Sequence, residues 1–410
     1  MLLAAVVTIG GFALVGLVWI LHLCLRGALR PPAPPASRLA YPPLTVIRPI
    51  RGLDVGAAEN IGAALDHGYP GRVRTFFVFD DEDEPALPLV RHAIAERRAA
   101  GVPTDADTII CGQPPAGRTG KINAMIAGLR STTTELVVFA DSDIRPDSGA
   151  LCALVDAIEA APDAGAAFVP VYSREPPTTV GDVGYALLLN GLYGPAAALA
   201  ARDRGGDLPF IMGQMMMLRR SAVEAIGGVA AADGQLVDDM YLGQRLVAAG
   251  YRNLVVPHPV SVIQRGLSLG GFVRDYIRWL TFSRTGMPDW RSKAVPFLHG
   301  VACWVGTALT VVALAEGHLV AAAVAALAPI SVALSLNELH RVVGGAPLRL
   351  RYAWVAIALL LMAPAVLMRT LFARRVTWRG RTYDLDAGAH LATLAPAPTP
   401  ARADSLEEVG

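Results

Sequence analysis

The stretch LVVFADSDIR, residues 136–145, decides the fold. A run of apolar β-formers ends in Asp141-Ser142-Asp143, which sets two carboxylates one residue apart. A buried strand ending this way delivers hard oxygen ligands to the carboxyl edge of a sheet, where open α/β sheets bind their ligands. One or two carboxylates shared with substrate phosphates usually hold Mg²⁺ or Mn²⁺. Asp141 and Asp143 are therefore candidate metal ligands. Alone the pair is a weak signal, because surface turns often carry it. The flanking sequence has to supply the rest.

Upstream, strand-like and helix-like segments alternate. LTVIRPI (44–50), VRTFFVFD (73–80), DTIICG (107–112) and ELVVFADSD (135–143) read as strands. Helical patterns at 57–65, 86–101 and 121–132 separate them. This is the rhythm of a doubly wound, mainly parallel α/β sheet. Downstream, FIMGQMMMLRRSAVEAIGG (210–228) reads as a strand and then a helix, with Met215, Met216 and Met217 as packing residues. GQLVDDMYLGQRLVAAGYR (234–252) reads as a helix with Asp238 and Asp239 at its start. Carboxylates there are commonly caps. The functional alternative is a general base acting on an acceptor hydroxyl.

Other candidates fall at strand ends. DDEDEP (80–85) follows the second strand and is either a solvated acidic loop or a nucleoside-binding edge. Arg48, at the end of the first strand, is a cation available to a diphosphate. GRTGKINAMIAG (117–128) puts Lys121 and Asn123 at a helix start, where free N–H groups favour phosphate. It is not a Walker A loop, since Ile122 follows Gly120-Lys121.

Composition adds a membrane. The chain is 53% hydrophobic with a mean hydropathy of +0.43, and only 17% of it is charged, against about 25% in ordinary soluble domains. Residues 2–25 hold no charged side chain and are long enough to span a bilayer. They read as an anchor, not a cleaved signal. Further apolar stretches lie at 294–315, 318–337 and 352–373. The expected organisation is an anchor (1–25), a proline-rich linker (26–43), a catalytic domain (44–293), two or three membrane segments (294–373) and a tail (374–410) whose last twenty residues read as disordered. The net charge of +1 gives no support for nucleic-acid binding. Four scattered cysteines suggest neither a zinc site nor a disulfide framework. Arg26, Arg30 and Arg38 put the central domain on the cytoplasmic side. Three later spans would then put the tail outside, against the arginines at 369–381. A re-entrant or interfacial segment at 352–373, which contains Pro364, resolves the conflict. GDVGYALLLNGLYGPAAALAA (181–201) reads as a membrane-dipping element or a buried helix, and 267–284 as an interfacial amphipathic helix.

Together these motifs resemble the ceramide glucosyltransferase family of membrane-bound, inverting enzymes of GT-A fold. The resemblance runs through VIRPIRGLD (46–54), FDDEDEP (79–85), GKINAMIAGL (120–129), ADSDIR (140–145) and GQMMMLRR (213–220). It continues through VDDMYLGQRLVAAGYR (237–252), DYIRW (275–279) and VTWRGRTYDL (376–385). It implies a UDP-sugar donor, a ceramide-like lipid acceptor and a divalent cation, Mg²⁺ or Mn²⁺. It implies that Asp81 and Asp83 lie near the uridine, that Asp141 and Asp143 hold the metal and diphosphate, and that Asp239 is the base beside Asp238. Arg278 and Trp279 match the end of the family's RxxRW element, expected at the diphosphate and the acceptor wall. Two positions depart: Glu84 stands where Asp is usual, and Asp275 stands where Arg or Gln opens RxxRW. Asp275 also disfavours a processive polysaccharide synthase, and the intact acidic motifs disfavour a non-catalytic scaffold. The resemblance also leaves a hopanoid or diacylglycerol acceptor open, and the expected place is a bacterial plasma membrane with the catalytic domain in the cytoplasm.

Overall fold

A computed structural model describes residues 1–30, 40–287, 291–385 and 390–391. Residues 31–39 of the proline-rich linker and the last nineteen residues lie outside the described residues. The chain opens with α1 (Leu2–Ala28). Strands and helices then alternate as the sequence pattern requires: β1 (Leu44–Pro49), α2 (Ala57–Leu65), β2 (Val73–Phe79), α3 (Leu87–Ala99), β3 (Ala106–Ile110), α4 (Gly120–Arg130) and β4 (Leu136–Ala140). It continues through β5 (Ile144–Arg145), α5 (Ala150–Ala160), β6 (Ala164–Phe168), β7 (Val171–Ser173), α6 (Val180–Leu187) and, after a π-helical turn at Leu188–Tyr193, α7 (Gly194–Arg202). Then come β8 (Met215–Arg219), α8 (Arg220–Ala225), α9 (Asp238–Ala248), β9 (Arg252–Val255), β10 (Val260–Val262) and α10 (Leu269–Gly286).

The main sheet has the order β3-β2-β1-β4-β8-β6-β9. The pairs β1–β2, β2–β3, β1–β4 and β6–β9 are parallel, and β8 runs antiparallel between β4 and β6. Strand order reverses between β1 and β4, where Ile47 pairs with Phe139. Such a switch point opens a crevice at the carboxyl ends of the two strands. The sheet is buried on both faces. Phe76 and Val78 of β2 enter one core, and Phe77 and Phe79 enter the other. The three methionines of β8 are buried packing residues, as read from sequence.

Three helices follow: α11 (Arg291–Ala315), α12 (Leu319–Val342) and α13 (Trp354–Leu371). Among the described residues five helical segments are long and apolar enough to cross a membrane: α1, residues 180–202, and those carrying α11, α12 and α13. The 180–202 segment is 83% buried inside the protein. Its lone acid, Asp182, caps α6, accepting from Thr178 N and Leu267 N at 3.0 and 2.8 Å. The buried-helix reading of this stretch is the one that fits. α1, α11 and α12 pack through small residues: a Cβ on Gly11 would lie 3.1 Å from the Ala325 backbone, and one on Gly306 2.8 Å from Ala328. Without a hydrophobic driving force in lipid, such close backbone approach is what holds helices together. One apolar core runs from the sheet (Val138, Met217) into these helices (Val18, Cys303, Leu336), so the two parts share their packing. The chain ends in a hairpin, β11 (Arg375–Trp378) and β12 (Arg381–Asp384).

Candidate active site

The switch-point crevice is a cavity of about 500 Å³. Asp141, Ser142 and Asp143 line it in the turn between β4 and β5. That turn is pinned on every side. Asp141 N donates to Gln214 O at 2.8 Å, and Ile263 N donates to Asp143 O at 2.8 Å. Arg48 lies beneath it, 2% exposed, donating to the carbonyls of Asp141 and Ile144 at 2.8 and 3.0 Å. Burial lowers its pKa to about 10, against the pull of Asp143, Asp141 and Asp54. Arg48 does not line the cavity. The expectation of a diphosphate-facing cation is corrected: Arg48 props the carboxylate turn from below.

Asp143 presents a carboxylate to the cavity. Its Oδ1 is buried with no hydrogen-bond partner among the described residues. Burial pushes its pKa up to about 6, the neighbouring Arg379 opposing the shift. No group of three or more ligating side chains exists among the described residues. Two carboxylates completed by phosphate oxygens and water suit Mg²⁺ or Mn²⁺.

Asp141 faces Lys121, whose Nζ lies 2.7 Å from Asp141 Oδ1 and donates to Gly213 O at 3.2 Å. Thr119 caps α4, accepting from Ile122 N at 3.2 Å, which fixes Lys121 at the first turn. Burial alone would lower the lysine's pKa, but Asp141, Asp238 and Asp239 outweigh it and hold it above the ordinary value. Asn123 turns away, donating to Gly112 O at 3.0 Å, so it secures the loop after β3 instead of meeting a sugar.

Asp238 and Asp239 open α9 on the other side of Lys121. Asp238 is buried, and its Oδ2 has no partner among the described residues. Asp239 accepts from Gly213 N through Oδ2 and from Met240 N through Oδ1, the latter at 2.8 Å. Four lone-pair sites per carboxylate leave two for a substrate. Burial and the charge of Asp238 push Asp239 up to about 6. Gly213 is what lets the carboxylate sit there: a Cβ on it would lie 2.5 Å from Asp239 Cβ and 2.6 Å from Oδ2. Gly213→Ala is expected to displace Asp239 and lower kcat by about tenfold or more, since small misplacements of a reacting group are costly. Donor affinity, measured by titration calorimetry, should stay within a few-fold; unchanged kcat would show that the carboxylate tolerates the shift.

The acidic segment after β2 differs from expectation. Asp80 continues the inward face of Phe76 and Val78, is 5% exposed and lines the cavity. Glu84 is buried too, accepting from Gly52 N at 2.7 Å. Asp81 binds Gln113 Nε2 at 3.0 Å and Asp83 is exposed, and neither lines the cavity. Strand alternation selects Asp80, a signal that motif matching alone passes over.

The C-terminal hairpin brings in Arg379 and Arg381, which the sequence reading used for topology and not for the site. Arg379 sits at φ +50 and Gly380 at +73, both left-handed, as a two-residue type I′ turn requires. Arg379 pairs with Asp54 and reaches Asp143 Oδ2 at 3.4 Å. Arg381 pairs with Asp80 at 3.0 Å. The signal was Arg-Gly between β-forming residues in VTWRGRTYDL.

α10 closes the opposite wall. Arg278 pairs with Asp275 at 3.1 Å, and both line the cavity. Trp279 packs against Tyr185 and Tyr193 at ring centroid distances of 4.9 and 5.9 Å. With Leu189, Ala196 and Phe282 they make this half of the cavity apolar.

Comparison with known proteins agrees with this architecture. The mannosyltransferase PcManGT from Pyrobaculum calidifontis, solved with GDP-Man and Mn2+, superposes with a TM-score of 0.52 at 19% identity, covering 89% of this chain and 99% of that one. At that identity the likeness carries the fold: a GT-A-type α/β sheet. Ceramide glucosyltransferase 3 of Caenorhabditis elegans is 21% identical over 251 residues, 61% of this chain and 52% of the relative. Ceramide glucosyltransferase 1 of the same organism is 23% identical over 258 residues, 60% and 51% of the two chains. The chain thus spans about half the length of the curated relatives it matches. The sequence model of glycosyl transferase family 21 matches residues 7–391, nearly the whole chain. The chain belongs to glycosyl transferase family 21.

Proposed function

We propose that the protein transfers one hexose from a UDP-sugar to a hydroxyl of a membrane lipid, with inversion at the anomeric carbon. Glucose and ceramide are the pair that its relatives' names point to. A hopanoid or diacylglycerol acceptor is the alternative within the same chemistry. The observation that carries the reading is one cavity with two halves. Asp141, Asp143, Lys121 and Arg379 gather at the polar half, and Trp279, Tyr185, Leu189 and Phe282 wall the apolar half. Asp239 lines the same cavity.

The acceptor oxygen attacks the anomeric carbon as Asp239 takes its proton. Lys121, Arg379 and Arg278 face the diphosphate as negative charge develops on it. Asp143 and Asp141 would hold Mg²⁺ or Mn²⁺, which when bound neutralises charge on the departing diphosphate. Asp80 is the carboxylate available to the nucleoside. The apolar half admits the lipid next to the hydroxyl that reacts. A single displacement leaves the new bond inverted relative to the donor.

α1, α11 and α12 are read as the membrane crossings, with the catalytic unit on the cytoplasmic side of a bacterial plasma membrane. α13 is read as re-entrant. The loop before it is tied to the catalytic unit, with Arg174 Nε donating to Val343 O at 3.3 Å. At its other end, Arg369 and Phe372 share a cavity with Arg274 and Arg278 of α10. A helix with both flanks on one side has not crossed. Single cysteines at Ala346 and Ala373 should react with a membrane-impermeant maleimide from the same side; opposite sides would make α13 a crossing.

The activity itself is tested by product mass spectrometry. Purified protein, Mn²⁺, a panel of UDP-sugars and a lipid extract containing ceramide, diacylglycerol and hopanoid polyol should yield one glycolipid with a single added hexose. A ladder of sugars, or donor turnover without any lipid product, would overturn the proposal.

A further inference from the structure

A second cavity, about 690 Å³, lies between α10, the end of α13 and the C-terminal hairpin. Arg274, Arg278, Arg369, Arg374 and Arg375 line it, with Asp384 as its one acid among the described residues. Asp384 pairs with Arg375 at 2.6 Å, and Arg278 pairs with Asp275 at 3.1 Å. Arg274, Arg369 and Arg374 have no ion pair among the described residues. An isolated surface arginine needs no explanation, but these three have no carboxylate at ion-pair distance among the described residues, Asp275 acting on Arg274 only from farther off, and around one cavity they repel one another. An anion bound among them offsets that repulsion.

We infer that this cavity binds the phosphodiester headgroup of an anionic membrane lipid. Arginine forks match phosphate oxygens in pairs. The surroundings favour a lipid over free phosphate. Phe372 lines the cavity and is 71% exposed, and the neighbouring Met368 and Leu371 are exposed as well. An apolar rim beside a phosphate-binding cluster suits a molecule with acyl chains. The site differs from the acceptor's: its walls are charged, and only Arg278 is shared with the catalytic cavity. One wall is β11, whose turn carries Arg379. A bound headgroup therefore ties to the bilayer the hairpin that reaches Asp143. The inference rests on α13 lying at the membrane, and not on which sugar is transferred or to which lipid.

The test is native mass spectrometry of the full chain released from detergent, without donor sugar. Phosphatidylglycerol should stay bound at about one molecule per chain while phosphatidylcholine is stripped. Arg369→Gln with Arg374→Gln should weaken phosphatidylglycerol retention roughly 30-fold. Arg369→Lys with Arg374→Lys keeps the charge and should retain most of the binding. Equal retention of both lipids by the wild-type protein, or unchanged retention in the glutamine variant, would overturn the inference. So would equal loss in the lysine variant. Displacement by inorganic phosphate as effective as by the lipid would make free phosphate the ligand and remove the membrane role.

Discussion

Asp239→Asn is expected to lower kcat by about 10²–10⁴-fold, the usual worth of a positioned general base. Donor affinity should be unchanged. The substitution is nearly isosteric, but the amide oxygen can accept from only one of Met240 N and Gly213 N, and the amide NH2 meets the other as a second donor. The carboxylate's capacity to take a proton is lost as well, and that loss dominates kcat. Turnover in the wild-type protein should carry the same mark. Asp239 is pushed up to about 6 by burial and by Asp238. A base must be deprotonated to act, so its function is present above that value and lost as pH falls through it. At saturating Mn²⁺ the rate should therefore fall about tenfold per pH unit below the limb. Asp238 is buried beside it and is also raised, so the limb belongs to the pair. A variant that keeps near-wild-type turnover, or a flat rate down to pH 5, would remove Asp239 from the role.

Much of this site was legible because it is local. The strand ending at Ala140 and the turn that follows it put Asp141 and Asp143 where periodicity says they must be. Asp239 is legible for the same reason, as the start of an amphipathic helix after a glycine turn. What was not legible depends on long-range packing. Arg48 looks like a free cation in sequence, yet its guanidinium is buried under a turn more than 90 residues away in the chain. Asp80 differs from Asp81 and Asp83 only by strand alternation, which continues the inward face of Phe76 and Val78 beyond the end of β2. Arg379 reaches Asp54 from 325 residues away, and no local pattern forecasts that contact. The fate of 352–373 was open for a similar reason: apolar length is a property of the helix, whereas crossing is decided by where both its flanks are tied.

Arg379→Gly is expected to lower kcat/KM by about 10²–10³-fold, the worth of removing a preorganised cation from a developing anion. The melting temperature should move by only a few degrees. Two opposing terms make this separation possible. Arg379 holds a left-handed backbone at φ +50, the only non-glycine residue with positive φ among the described residues. Such a conformation costs an ordinary residue about 1–2 kcal/mol, and glycine removes that cost. Against it stands the loss of the ion pair with Asp54 and of the contact with Asp143. A turn that needed only geometry would carry glycine or asparagine. A strained arginine aimed at two carboxylates in the catalytic cavity is better explained by its charge. Arg379→Lys should restore part of the rate, since an ammonium supplies charge without the planar fork. Donor titration without acceptor should show weaker binding in both variants. If the glycine variant kept its donor affinity and its kcat/KM, the hairpin would be structural only, and Lys121 and Arg278 would remain as the cations facing the diphosphate.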